Sequence, residues 1–144
     1  AQMASMLPYV DVLKVSEEEM RLLTGDSNPE TATKHFTELG ISLVLVSMGE
    51  MGACYRCGDE FGHIPAFPVH AVDTNGAGDS FLGAILYCLR GKRREELRMM
   101  HSGELQELVT YGNAAGALTT TAYGAIPAMP DAGQIARRLQ KASV

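Results

Sequence analysis

The run ISLVLVS, Ile41 to Ser47, constrains this chain most. It is apolar almost throughout, with Gly40 before it and Met48-Gly49 after it. A strand with one wet face alternates in polarity. A strand that does not alternate is covered on both faces, as in a parallel sheet between helices. The flanking segments agree with this. Val10 to Val15 is a short β-branched run that reads as a second buried strand. Ser16 is placed to cap a helix whose first turn carries Glu17, Glu18 and Glu19, acids that suit the positive end of a helix dipole. Gly25 is its natural stop. Pro29 suits the first turn of the next helix, with Ala32, His35, Phe36 and Leu39 on one side and Gly40 as the stop. Strand-helix alternation predicts a layered α/β fold with a mostly parallel sheet.

Further along, Gly52 to Cys57 and Phe61 to Phe67 are expected to form a β-hairpin around Gly58-Asp59-Glu60. Pro65 and Pro68 mark an edge or a strand end. Ser80 to Leu89 is helical in pattern, with Phe81, Ile85, Leu86 and Leu89 apolar. The basic Lys92-Arg93-Arg94 reads as an exposed connection. Leu105 to Thr121 is a helix whose alanines and glycines let it lie close to other backbone. YGAIPAMP is expected as a loop, and Asp131 to Lys141 as a final amphipathic helix. The opening AQMASML reads as the last turns of a helix. A domain that starts so abruptly is expected to be part of a larger one.

With 144 residues the chain suits one modest domain. A net charge of −5 argues against a general nucleic-acid or membrane-surface binder. The longest apolar runs are too short to cross a bilayer. AQMASMLPYV has neither the basic region nor the long apolar core of a secretion signal. Three cysteines form no regular framework, which points to a reduced, cytoplasmic setting. Cys54 and Cys57 make a C-x-x-C, but on a strand that spacing puts them on opposite faces, so one metal would not reach both. Cys88 is expected to pack inside its helix layer, and His35 and His101 to face solvent.

The chemistry is concentrated in HAVDTNGAGDSFLGAIL, His70 to Leu86. A helix that begins near Ala77 leaves its first N–H groups without internal partners, and the dipole adds positive potential there. The small residues Gly76, Ala77 and Gly78 leave those groups open to an anion such as phosphate. A fixed acid, Asp79, beside a bound phosphate is unfavourable unless it has a task, and accepting a proton from an attacking hydroxyl is one. A plain helix cap remains the competing explanation of the same residues.

VDTNGAGDSFLGAIL resembles the C-terminal signature of the PfkB, or ribokinase-like, carbohydrate kinases, roughly D-T-x-G-A-G-D-x-F. DVLKVSEEEMRLLTG resembles the family's strand-helix segment with N-x-x-E. VLVSMGEMGACY resembles its S/T-x-G-x-x-G turn, and NAAGALTTTAYGAIPAMP its helix and loop over the adenine. The flavour is fructokinase-like. The resemblance implies the C-terminal part of a three-layer α/β/α ribokinase-like fold, without the N-terminal sugar-binding part and lid. It implies ATP-dependent phosphorylation of a fructose-like or ribose-like hydroxyl, with Asp79 as base and the amides of Gly76, Ala77, Gly78 and Asp79 as anion hole. It further implies that Ser47, Gly49, Gly52, Asn113, Ala117 and Gly124 border the nucleotide. Glu19 would hold Mg²⁺ through water, and Asp73 with Asn75 would belong to a monovalent-cation site, K⁺ in kind. Ser16 stands where the family motif has Asn, so its amide donor is missing. An uncovered sheet edge left by the missing part would favour self-association into a homo-oligomer. The alternative reading is a non-catalytic nucleotide-binding or regulatory module.

Overall fold

The computed structural model describes residues 5–142. The expected N-terminal helix end falls partly on residues 1–4, outside the described residues; Leu7–Tyr9 then makes a single 3₁₀ turn. Strands β1 (Val12–Ser16), β2 (Leu43–Ser47), β3 (Ala53–Cys57) and β4 (Glu60–Ile64) form one sheet in the order β1-β2-β3-β4. Helices α1 (Glu17–Thr24) and α2 (Pro29–Glu38) connect β1 to β2. Then follow α3 (Ala77–Leu89), α4 (Arg94–Arg98), α5 (Ser102–Thr119), α6 (Ala125–Ala128) and α7 (Ala132–Ala142).

The expectation of a mostly parallel sheet is corrected. β1 and β2 are parallel, but β2–β3 and β3–β4 are antiparallel. The reason lies in the connections. A parallel return needs a crossover of a dozen or more residues, and only the β1-to-β2 link is that long. Met48 to Gly52 turns β2 directly into β3, with the Met48 N–H donating to the Gly52 carbonyl at 2.8 Å. Gly58-Asp59 alone turns β3 into β4, since Cys57 pairs with Glu60.

The two-sided burial read from ISLVLVS is present. Leu43 and Leu45 pack with Phe81, Ile85, Leu105 and Val109 on one side of the sheet. Val44 and Val46 pack with Val15, Met20 and Phe36 on the other. The sheet therefore lies between α1–α2 and α3–α5, as three layers. Cys54 and Cys57 fall in opposite cores, and burial pushes both thiols up from their ordinary pKa. Cys88, expected to be packed, is exposed, as is Leu86. Both sit on the outer side of α3. The segment expected as a loop around Ala125 contains the short helix α6.

The glycines of α5 set where α3 begins. A Cβ on Gly112 would meet Phe81 at 2.8 Å and Ile85 at 3.0 Å. A Cβ on Gly116 would lie 3.2 Å from the Ala77 carbonyl. Small residues here let the two helices approach along their length, which holds the first turn of α3 at the end of the sheet where β1 and β2 finish. Ligand sites in open α/β sheets gather at that carboxyl end.

Candidate active site

Gly76 is the N-cap of α3 and adopts φ 78, the left-handed region that glycine enters without strain. A Cβ there would also stand 2.7 Å from the Ala125 Cβ, so the turn admits only glycine on two counts. Ala77, Gly78 and Asp79 form the first helical turn. No side chain caps that turn. Asp79 is exposed and has no hydrogen-bond or ion-pair partner among the described residues. The Ala77 N–H donates to the Thr74 carbonyl at 3.4 Å, whereas the Gly76, Gly78 and Asp79 amides have no hydrogen-bond partner among the described residues, so most of the turn is bare and the acid is uncommitted. A plain cap would have spent both.

A cleft of about 680 Å³ opens beside this turn. Ser47, Gly49 and Gly52 line it from the β2–β3 turn, and Ala77 and Gly78 from α3. Asn113 and Ala117 complete it from α5. Phe67, Pro68 and Val69 give it an apolar wall. Three segments far apart in sequence therefore meet around one cavity, and seven of the residues singled out above line it. Gly76, Asp79, Asp73, Asn75, Gly124 and Glu19 lie outside the lining. A larger hollow of about 790 Å³ between α3, α5 and α7 touches Cys88 and Tyr111, and none of the motif residues reaches it.

Several of these residues also hold the site together. Asn113 is buried, and its amide donates to the carbonyls of Ile64 at 2.9 Å and Pro65 at 3.1 Å. This satisfies carbonyls at the point where β4 stops. Gly52 adopts φ 98, and a Cβ there would lie 2.1 Å from the Ile64 carbonyl oxygen. The close approach that requires glycine at 52 is therefore to the chain's own backbone. Glu19 and Ser16 form a capping box on α1: Ser16 Oγ accepts from the Glu19 N–H at 3.2 Å, and Glu19 Oε2 accepts from the Ser16 N–H at 2.8 Å. Serine at 16 keeps the cap that Asn would supply.

Asp73 anchors the far side of the turn. Its Oδ1 accepts from the Asn75 N–H at 3.0 Å and its Oδ2 from the Gly124 N–H at 2.9 Å. The carboxylate thereby ties the 73–76 turn to the loop leading into α6. The Asn75 N–H and then the Gly124 N–H hold its carboxyl below the usual carboxylate range. A folded pKa below the unfolded one means that this tie stabilises fully above about pH 4 and is lost as pH falls further. Asp73→Ala in the full-length protein is therefore expected to lower stability at pH 7, with the deficit shrinking as the carboxylate protonates in acid. Urea unfolding across an acid pH series checks this, and a deficit that does not shrink as pH falls would contradict it.

One charged neighbour was not singled out by motif. Lys14 on β1 pairs with Leu45 in register and so shares the sheet face that α3 covers. Its ammonium would stand 2.9 Å from a Cβ placed on Gly78. The available signal was alternation: in VLKVS, Val12, Lys14 and Ser16 point one way, and a lysine on an inward face is unusual.

Comparison with known proteins gives the family. Residues 1–132 match the pfkB family carbohydrate kinases. The chain belongs to this family. It is 36% identical over 142 residues to fructokinase-1 of Zea mays, covering 98% of this chain and 43% of that relative. The chain thus spans less than half the length of the curated relatives it matches. Among solved PfkB-type structures, fructokinase with bound ATP from Xylella fastidiosa superposes with a TM-score of 0.90 at 26% identity, over 99% of this chain and 46% of that one. A double-mutant fructokinase from Vibrio cholerae, bound to fructose, ADP and potassium ion, gives 0.81 at 30% identity, over 94% of this chain and 42% of that one. No helix among the described residues is long and apolar enough to cross a membrane.

Proposed function

We propose that the full-length protein containing this chain is an ATP-dependent sugar kinase acting on a fructose-like or ribose-like hydroxyl. This chain supplies the nucleotide side and the base; the part that would complete the sugar pocket and lid lies outside it. The observation that carries the reading is the bare 76–79 turn opening onto the Ser47–Asn113 cleft, with Asp79 free beside it. Small residues and an apolar wall suit an adenine and ribose, and the turn suits the phosphates. ATP supplies the phosphoryl group. Asp79 takes the hydroxyl proton as the sugar oxygen bonds to the γ-phosphorus. The bond from that phosphorus to the β–γ bridging oxygen breaks, and its electron pair leaves with ADP. The amides of Gly76, Ala77, Gly78 and Asp79 hold the charge on the transferred group, since positioning and electrostatics carry most of phosphoryl transfer.

Mg²⁺ keeps most of its waters and binds phosphates with one or two carboxylates. Glu19 Oε2 is used by the cap, and Glu19 would help hold Mg²⁺ through a water, the ion in turn supplying charge neutralisation at the phosphates. Asp73 and the Asn75 carbonyl would hold a K⁺ ion beside the turn, a reading supported by the potassium ion bound in the Vibrio cholerae fructokinase. The same Asp73 contacts that tie the loop would keep such a site in shape.

The test uses the full-length protein. Calorimetric titration with Mg-ATP is run beside a coupled assay for ADP release with fructose and with ribose. Saturable ATP binding and sugar-dependent ADP release are expected. ATP binding without turnover on any sugar would favour the nucleotide-binding module, and neither would overturn the kinase reading.

A further inference from the structure

Residues 66–71 carry the apolar wall of the cleft, yet they form neither strand nor helix. The segment is pinned at its two ends. The Asn113 amide holds the Pro65 carbonyl at 3.1 Å, and the Val72 N–H donates to the Thr120 carbonyl at 2.8 Å. Between those points a single hydrogen bond reaches it among the described residues. Arg138 on α7 donates from Nη2 to the Pro68 carbonyl at 3.2 Å. The same guanidinium lies over the Phe67 ring, 4.8 Å from its centroid. Phe67 and Pro68 both line the cleft, and Arg138 does not.

The helix does not need this contact for its own place. Ile135, one turn earlier on α7, is buried with Ala84, Ala114 and Ala115. Asp131 and Gln134 close the helix start reciprocally, at 2.8 Å and 2.7 Å. The segment is what gains. A stretch without ladder hydrogen bonds has many open conformations, and a ligand that binds against it bears the entropy of ordering it unless the protein has already done so.

We infer that Arg138 is a positioning residue for the nucleoside end of ATP: from α7 it holds Phe67 and Pro68, and so keeps the cleft wall formed before the ligand arrives. The inference rests on the kinase reading, which sets adenine and ribose against this wall. Arg138 stands outside the cleft lining and outside the 76–79 turn, so its loss falls on binding and leaves the chemical step alone. Because the wall serves the nucleoside, neutral adenosine loses affinity by the same factor as ATP. That separates a formed wall from a cation that merely attracts the phosphates.

Arg138→Met, which keeps an apolar stem over Phe67, and Arg138→Lys in the full-length protein test this. Calorimetry is run with Mg-ATP and with adenosine, beside steady-state turnover at saturating sugar and urea unfolding. In Arg138→Met the Kd of both ligands and the KM for ATP are expected to rise about 5- to 30-fold, within what one exposed cation–π contact and one charge-assisted hydrogen bond supply together. The kcat is expected to stay within about twofold. The unfolding midpoint should hardly move, since Ile135 still anchors α7. Arg138→Lys keeps the charge and one donor and is expected to recover most of the loss. Unchanged affinity in Arg138→Met overturns the inference. So does a loss for ATP without one for adenosine, which would mean charge attraction. A variant that unfolds, or that loses kcat with affinity kept, overturns it as well. Each of these results leaves the kinase reading standing while the wild type turns over. A wild type that neither binds ATP nor turns over removes that reading and the role of Arg138 with it.

Discussion

Asp79→Asn in the full-length protein is expected to lower kcat by about 10²- to 10⁴-fold, the range of a positioned general base. Binding of Mg-ATP should stay the same or tighten slightly. The substitution keeps the shape of the side chain and removes only its charge and basicity. Asp79 has no partner among the described residues that the change would orphan. Its only structural contribution is an acid in the first turn of α3, worth about 0.3–1 kcal/mol against the helix dipole. A large loss of turnover with a small loss of stability therefore separates a base from a cap. Removing a negative charge next to the phosphates also explains why nucleotide binding should not suffer. Turnover near the wild-type value would exclude Asp79 as the base.

Gly52→Ala is expected to be the most damaging single-methyl change in the cleft. The residue adopts φ 98, a region that L side chains rarely enter. Its Cβ would lie 2.1 Å from the Ile64 carbonyl oxygen and 2.6 Å from the Ala66 nitrogen, both backbone atoms. Neither can move without unpairing β4 from β3, where Ala53 pairs with Ile64. The expected cost is about 3 kcal/mol or more, from strain and overpacking together. Gly49→Ala is the control. Gly49 also has positive φ, 56, but a Cβ there meets nothing within 4 Å. Strain alone, about 1–2 kcal/mol, is expected there. Urea unfolding of both variants decides the matter: a Gly49→Ala cost equal to or above that of Gly52→Ala would contradict the close strand approach. Because Gly52 lines the cleft, Gly52→Ala should also weaken ATP binding.

Gly52 illustrates how motif and structure divide the explanation. As part of S-M-G-E-M-G it reads as a residue that lets a nucleotide come near. In the fold it lines the cleft, yet its glycine is demanded by the β4 backbone. Asn113 is similar: expected beside the adenine, it borders the cleft and also holds the end of β4 across 49 residues of sequence. Asp73, expected beside a cation, reaches Gly124 across 51 residues. Such contacts leave no local pattern, because the two partners are brought together only when the layers pack.

Local signals were enough for the layered α/β class, the caps and most helix limits. Covered strands show as unbroken apolar runs, and helix starts show as Ser16, Pro29 and the 76–79 turn, because those effects act within a few residues. Leu45's neighbours above and below, the antiparallel direction of β3, the short helix at Ala125 and the placing of Lys14 against Gly78 were decided by packing alone. Strand direction depends on how far a connection must reach. A charged side chain's role depends on what the opposite layer presents to it. Sequence determined that a bare helix start followed by an acid exists at 76–79; only the tertiary structure decided that it opens onto a shared cleft with a free lysine at its side, because contacts between distant segments form only once the sheet and both helix layers close around them.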